Sequence, residues 1–211
     1  KLISEYTIEG RKAINILADA YSLALGRQQG ENDPVVIQKK DIYEVAQVSR
    51  LYQFVTKKAS DKAVVGHIFG LGVAGFLGSV IEIEAVAFPA HEKGKGTVRF
   101  NETAGSMAKD SVFNAGSVMR RITGKDMHDY DVHINVIGGG NIDGPSAGTA
   151  ILAAIVSAVT GRRIRQDVAV TGEISLQGRV RPVGGVFEKA YGAKQAGIRT
   201  LAHRDTLQVP P

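Results

Sequence analysis

Apolar and polar positions alternate along residues 132–137 (Val-His-Ile-Asn-Val-Ile), the two-residue period of a strand with one buried face. Gly138-Gly139-Gly140 ends that run. Residues 147–159 are almost wholly apolar, which predicts a core helix too short to cross a bilayer. Val168–Val170 is a continuous apolar run of the kind found in buried strands. Residues 186–197 then read as a helix closed by Gly197, ahead of a strand-like stretch at 198–201. Strands and helices in this order predict a mixed α/β domain.

The N-terminal residues follow a different pattern. Past Thr7, read as an N-cap, Ile14, Leu17, Tyr21 and Leu25 recur at helical spacing. Residues 26–34 form a polar, glycine-containing break, and Val35-Val36-Ile37 a short extended piece. Asp41 and Glu44 fit an acidic capping box, opening a second helix with Ile42, Val45 and Ser49 on one face. Residues 57–62 are polar and read as a linker. The pattern therefore divides the chain into a small helical unit (1–56), the linker and a larger α/β domain (63–211).

Candidate chemistry concentrates in the α/β domain. Asp143-Gly144-Pro145-Ser146-Ala147-Gly148 places a serine in a tight glycine turn at the start of the apolar helix. Pro145 suits a first helical position, where its missing N–H costs nothing. Free backbone N–H groups and the positive helix end converge on such a turn, ready to meet an oxyanion. A serine hydroxyl needs a base beside it. Downstream, Lys189 falls on the same helical arc as Val186, Ala190, Ala193 and Ala196, with Glu188, Tyr191 and Gln195 opposite. A lysine held among apolar groups loses hydration and tends to the neutral amine, which can accept a proton. The same spacing also fits a snorkelling lysine with its head in water. Thr171, at the end of the Val168–Val170 run, could hold that amine in line; taken alone it is an ordinary turn threonine.

Together these strings resemble a family. Residues 143–148, Thr171-Gly172-Glu173-Ile174-Ser175-Leu176, Pro182-Val183-Gly184-Gly185 and Glu188-Lys189 resemble, in order and spacing, the proteolytic domain of ATP-dependent Lon proteases. Residues 75–85 and Tyr130-Asp131-Val132-His133 look like the LonB type of spore-forming bacteria. The resemblance runs from about residue 63 to residue 201. It implies a two-layer α+β fold similar to domain 2 of ribosomal protein S5. It implies Ser146 as nucleophile, Lys189 as general base, Thr171 as support for the lysine and Asp143 as an acidic gate. Glu84 and His133 match positions near the cleft, although locally bonded strand residues would look the same. The glycine-rich stretch 138–142 looks slightly shorter than in the LonA enzymes. Residues 1–56 resemble the end of the helical lid of an AAA+ ATPase, in which Arg11 of Gly10-Arg11 would sense nucleotide phosphates.

For the intact protein the resemblance implies ATP with magnesium, a homo-hexamer, unfolded or regulatory protein substrates and a link to sporulation. No Gly-x-x-x-x-Gly-Lys-Ser/Thr loop occurs in this sequence, so the ATP-hydrolysing core is expected elsewhere. Lys1-Leu2-Ile3 lacks an initiator methionine and leads straight into structure, as in a chain that begins inside a longer protein.

Composition changes this picture little. Among the 211 residues, 44% are hydrophobic and 22% charged, ordinary proportions for a globular protein. There is no cysteine, which excludes a cysteine peptidase, disulfides and thiolate metal sites. A cytoplasmic location and no membrane partner are the expectation. The net charge of +5 draws on Arg120-Arg121, Arg162-Arg163 and Arg165. Without interleaved aromatics these read as solvated surface or subunit contact in preference to a nucleic-acid platform.

Two other readings of Ser146 stay open at this level. Gly144-x-Ser146-x-Gly148 also satisfies the nucleophile elbow of α/β-hydrolase esterases, with His203 as the histidine downstream. A glycine loop before a helix could alternatively cradle phosphate, as in small-molecule kinases.

Overall fold

In the computed structural model, residues 2–7, 9–28, 30, 33–53, 58–74, 77–100, 105–137 and 144–205 are described. The chain divides into two units, Lys1–Thr56 and Lys57–Pro211.

The first unit carries helices α1 (Gly10–Leu25) and α2 (Lys39–Val48). The sequence places the wrong stripe of α1 inside. Ile16, Ala20 and Ala24 are buried, whereas Ile14, Leu17, Tyr21 and Leu25 are exposed. Two alanines let another element approach closely, and Ile42, Val45 and Ala46 of α2 join Ile16, Ala20 and Tyr6 in one cluster. Thr7 does not cap α1; it is buried and its hydroxyl accepts the N–H of Glu9, the N-cap, at 3.1 Å. Nor does Asp41 open α2. Gln38 is the N-cap, and the Asp41 carboxylate reaches back to its N–H at 2.7 Å. That bond, aided by the Arg27 guanidinium at 2.5 Å, holds the Asp41 carboxyl below the usual carboxylate range. Ser49, expected on the inner face of α2, is exposed at its C-cap.

The second unit runs β1 (Ala63–Val65), β2 (His67–Ala74), β3 (Leu77–Pro89), β4 (Val98–Phe100), α3 (Ser106–Thr123) and β5 (Tyr130–Ile137). It continues with α4 (Gly148–Thr160), β6 (Arg163–Arg165), β7 (Val168–Val170), β8 (Glu173–Ile174), β9 (Val180–Arg181), α5 (Val186–Gln195) and β10 (Thr200–Ala202). Among the described residues, six strands form one sheet in the order β10-β7-β2-β3-β5-β4, and β1–β6 and β8–β9 form two-stranded ribbons. The sheet is mixed. β3 pairs antiparallel with β2 and β5, while β7 runs parallel to β2 and β10, and β4 parallel to β5.

Strand alternation sorts the core onto the two faces. Ile68, Ile83, Ala85, Val132, Ile134 and Val170 meet α3 and α4 on one side. α4 can be apolar almost throughout because it packs on both α3 and the sheet, burying Ala150, Ile151, Ala154 and Ile155. On the other side Phe69, Leu71 and Ala169 pack with Ala193 and Ala196, the inner face of α5. The α/β class is the one predicted. Of the stretch read as a linker, residues 58–60 are hydrogen-bonded within this unit: Lys58 and Ala59 donate to Ala196 O and Ser60 donates to Gln166 O.

Candidate active site

Ser146 is placed by a turn that leads into α4. Gly144 precedes a single 3-10 turn, Pro145–Ala147, and the α-helix begins only at Gly148. The proline at the first helical position is as predicted, but the turn around Ser146 is tighter than an α-helical one. Three bonds tie this turn and the start of α4 to the residue after Thr171. Gly172 N–H donates to Ser146 O at 2.9 Å, and Gly172 O accepts the N–H and hydroxyl of Thr149 at 3.0 and 2.8 Å. The space between is full. A Cβ on Gly172 would lie 2.5 Å from Val180 Cγ1, and one on Gly148 3.2 Å from both Ile174 and the Ser111 hydroxyl. Glycine is therefore required at 172 for the nucleophile turn to sit against the end of β7.

Lys189 arrives from the other side of the sheet. Gly185, at φ 67°, starts α5 in the left-handed region, and Lys189 N–H closes the first turn onto its carbonyl at 2.9 Å. α5 then lies backbone against backbone on β3. A Cβ on Gly78 would stand 1.8 Å from Glu188 O, and one on Gly192 would stand 2.2 Å from Gly78 O. With α5 so placed, the lysine amine reaches Thr171 at the end of β7. The side chain of Lys189 is 3% exposed, and its Nζ donates to Thr171 Oγ1 at 3.2 Å. Thr171 is fully buried; its hydroxyl donates in turn to Ser146 O at 3.5 Å, and its N–H is held by Ala202 O in β10. The snorkelling alternative is thus not what the fold does. Burial lowers the pKa of the Lys189 amine from its ordinary value of 10.5, and the amine forms no ion pair among the described residues.

Ser146 and Lys189 face one pocket of about 510 Å³. Its walls are Val73, Pro145 and the Pro182–Gly185 turn, and Glu173 and Glu188 also reach it. Thr171 sits behind the lysine, so the serine, lysine and threonine picked out in the sequence come together. Asp143 and the 138–142 loop lie outside the described residues. Glu84 accepts the Asn135 amide at 2.8 Å on the open sheet and His133 is exposed; neither lines the pocket. His203, the histidine of the esterase alternative, follows β10 beside Asp205 and does not line it either. Arg11 is exposed in the first turn of α1.

The sequence did not single out Gly78, Gly192, Val73, Glu173 or Glu188 as part of this site. Gly78 and Gly192 matter through a backbone contact between residues far apart in the chain, and only their small size signals it. Of the basic residues, Arg165 is paired bidentately with Asp167, and Arg120 with Asp126 at 3.1 Å. Arg121, Lys125, Arg162 and Arg179 instead line a separate cavity of about 1270 Å³ at the ends of α3 and α4. Among the described residues no cluster of acidic or histidine side chains could hold a metal ion, and no helix is long and apolar enough to cross a membrane.

Comparison with known proteins agrees with this arrangement. The family model of the Lon protease (S16) C-terminal proteolytic domain matches residues 36–206. Lon protease 2 of Bacillus subtilis is 39% identical over 213 residues, which covers 95% of this chain and 38% of that relative. Lon protease 1 of Thermus thermophilus is 43% identical over 68% of this chain and 18% of its own length. An archaeal Lon protease of Thermoplasma volcanium is 36% identical over 72% of this chain and 24% of its own length. The chain thus spans well under half the length of these relatives. A match that runs through the Ser146 turn, Thr171 and Lys189 alike makes this chain a member of the Lon protease (S16) family, whose C-terminal proteolytic domain it carries.

Proposed function

We propose that this chain is a serine endopeptidase that cleaves peptide bonds with Ser146 as nucleophile and Lys189 as general base. The observation that carries the reading is the burial of Lys189, its amine directed at Thr171 beside the Ser146 turn and in no ion pair among the described residues. A neutral amine has one lone pair and two N–H donors. Thr171 Oγ1 takes one donor and orients the group, leaving the lone pair for the serine proton. Ser146 Oγ then attacks the scissile carbonyl, and the N–H groups of the Gly144–Ala147 turn face the developing oxyanion. The protonated lysine returns its proton to the leaving amine. Neutral again, it activates the water that releases the acyl group from Ser146.

Asp143 is assigned to gating. We assign the finer features to the intact protein: the LonB type, with which the Bacillus relative is compatible, ATP with magnesium, a hexameric chamber, cytoplasmic unfolded or regulatory substrates and a role in sporulation. The exposed Arg11 alone does not make a nucleotide site, and no step of peptide hydrolysis passes through one. Residues 1–56 are assigned to the end of the ATPase lid, with Arg11 as its phosphate sensor.

The test is cleavage of a fluorogenic peptide and of an unfolded protein by the chain and by Ser146→Ala and His203→Ala. Loss in the first variant with activity kept in the second is the expected result. The same assay on Lys189→Ala should show loss as well; activity kept in Lys189→Ala with loss in His203→Ala would establish the esterase-type triad instead.

A further inference from the structure

The pocket that holds Ser146 and Lys189 also holds two carboxylates that no described residue pairs. Glu173, in β8, and Glu188, in the first turn of α5, are both half-buried and both line it. Other half-buried acids of the second unit have partners. Glu82 holds Lys58 at 2.8 Å and Asp126 holds Arg120 at 3.1 Å, while Glu84 accepts the Asn135 amide and Asp131 the Thr97 hydroxyl, both at 2.8 Å. Glu173 and Glu188 make no ion pair or hydrogen bond among the described residues. Arg181 stands directly opposite Glu173 in the β8–β9 ribbon, yet no ion pair forms between them. Lys189, next in sequence to Glu188, turns inward to Thr171.

We propose that Glu173 and Glu188 are specificity-determining residues, which select a cationic side chain beside the scissile bond and disfavour an acidic one. The proposal rests on the Ser146–Lys189 reading and names the substrate class of that site. Two physical effects act in the same direction. A lysine or arginine side chain lays its apolar stem along Val73, Pro182 and Val183 and brings its charge to two partly dehydrated carboxylates. An aspartate or glutamate there meets like charge in a confined space. In addition, a cation in the pocket disfavours protonation of Lys189 and so keeps the base neutral, whereas an anion does the reverse.

The experiment measures kcat/KM for fluorogenic peptides that carry Lys, Gln or Glu in turn at each position flanking the cleaved bond. At one position at least, the Lys peptide should exceed the Glu peptide by about tenfold at low ionic strength, less in high salt. In Glu173→Gln, Glu188→Gln and the double variant that ratio should fall stepwise towards one. Because the ratio is formed on each enzyme separately, a change in rate common to all peptides cancels. A ratio near one at every position of the wild type, or an undiminished ratio in the double variant, overturns the proposal. Fluorophosphonate labelling of wild-type Ser146 separates the two readings. A labelled serine with a flat ratio removes only the specificity, whereas an unlabelled serine and no cleavage removes the dyad and the specificity with it.

Discussion

The larger cavity of the second unit gathers Arg121, Lys125, Arg162 and Arg179, whereas the smaller one holds the single Lys189. In the larger cavity these four residues are exposed; Arg121, Lys125 and Arg162 stand where α3 and α4 end, and Arg179 stands in the turn between β8 and β9. Lys125 donates to Val159 O at 3.1 Å and lies over the Tyr130 ring at 5.7 Å. Cations at helix C-termini meet partial negative charge, so Arg121, Lys125 and Arg162 have a stabilising task there. In the smaller cavity the lysine is buried; among the described residues its amine bonds a hydroxyl and forms no ion pair, although Glu173 and Glu188 line the same cavity. Charge density and volume favour the first cavity as a site, and the ionisation chemistry favours the second. A buried amine with a neutral partner is prepared to exchange a proton, whereas an exposed one on a carbonyl is not.

The sharpest way to break this contrast is at the two lysines. Lys189→Met should lower kcat/KM for peptide hydrolysis on the order of 10³–10⁴-fold, the scale of a general base. Lys125→Met should change it by no more than about twofold, as a surface substitution does. Next in size is a change that leaves both dyad residues in place. Gly78→Val pushes a side chain into Glu188 O, so α5 must shift and carry Lys189 off Thr171. Activity should fall about 100-fold while circular dichroism still shows the folded chain.

A third effect is on stability and its dependence on pH. The folded-state pKa of Lys189 is depressed, so the unfolded chain binds more protons between that value and the ordinary 10.5. Wild-type stability therefore rises with pH through this window, and the full burden of the buried charge is felt below it. Lys189→Met should raise the urea midpoint at neutral pH, with the gap narrowing as pH approaches about 10.5. The smallest effect lies at the larger cavity. Gly161 caps α4 at φ 71° with open space around it, so Gly161→Ala should lower stability by about 1 kcal/mol and leave peptide cleavage intact.

Much of the site was legible because it is local. The strand–glycine–helix succession announces Ser146, and a helical period of 3.6 puts Lys189 with Ala193 and Ala196, the face that is buried. Contacts between distant segments left weaker traces. In α1 the bulky stripe looked like the core, but the close approach of α2 selects the alanine face at Ala20 and Ala24. Asp41 looked like a cap because acids favour first turns; its partners Gln38 and Arg27 show it as the third residue. Gly78 and Gly192 gain their meaning only where β3 and α5 meet, and Glu173 and Glu188, part of the family-like strings without a role of their own, only where the pocket brings them together.

The central claim is that a neutral Lys189 activates Ser146. The most direct measurement is the rate of covalent labelling of the chain by a peptidyl fluorophosphonate, followed by mass spectrometry across pH, for the wild type and Lys189→Ala. A single adduct on Ser146 is predicted, forming faster as pH rises and levelling off with a midpoint below 10.5. The variant should lose both the rate and this pH dependence. Labelling of Ser146 in Lys189→Ala at the wild-type rate and with the wild-type profile would contradict the account.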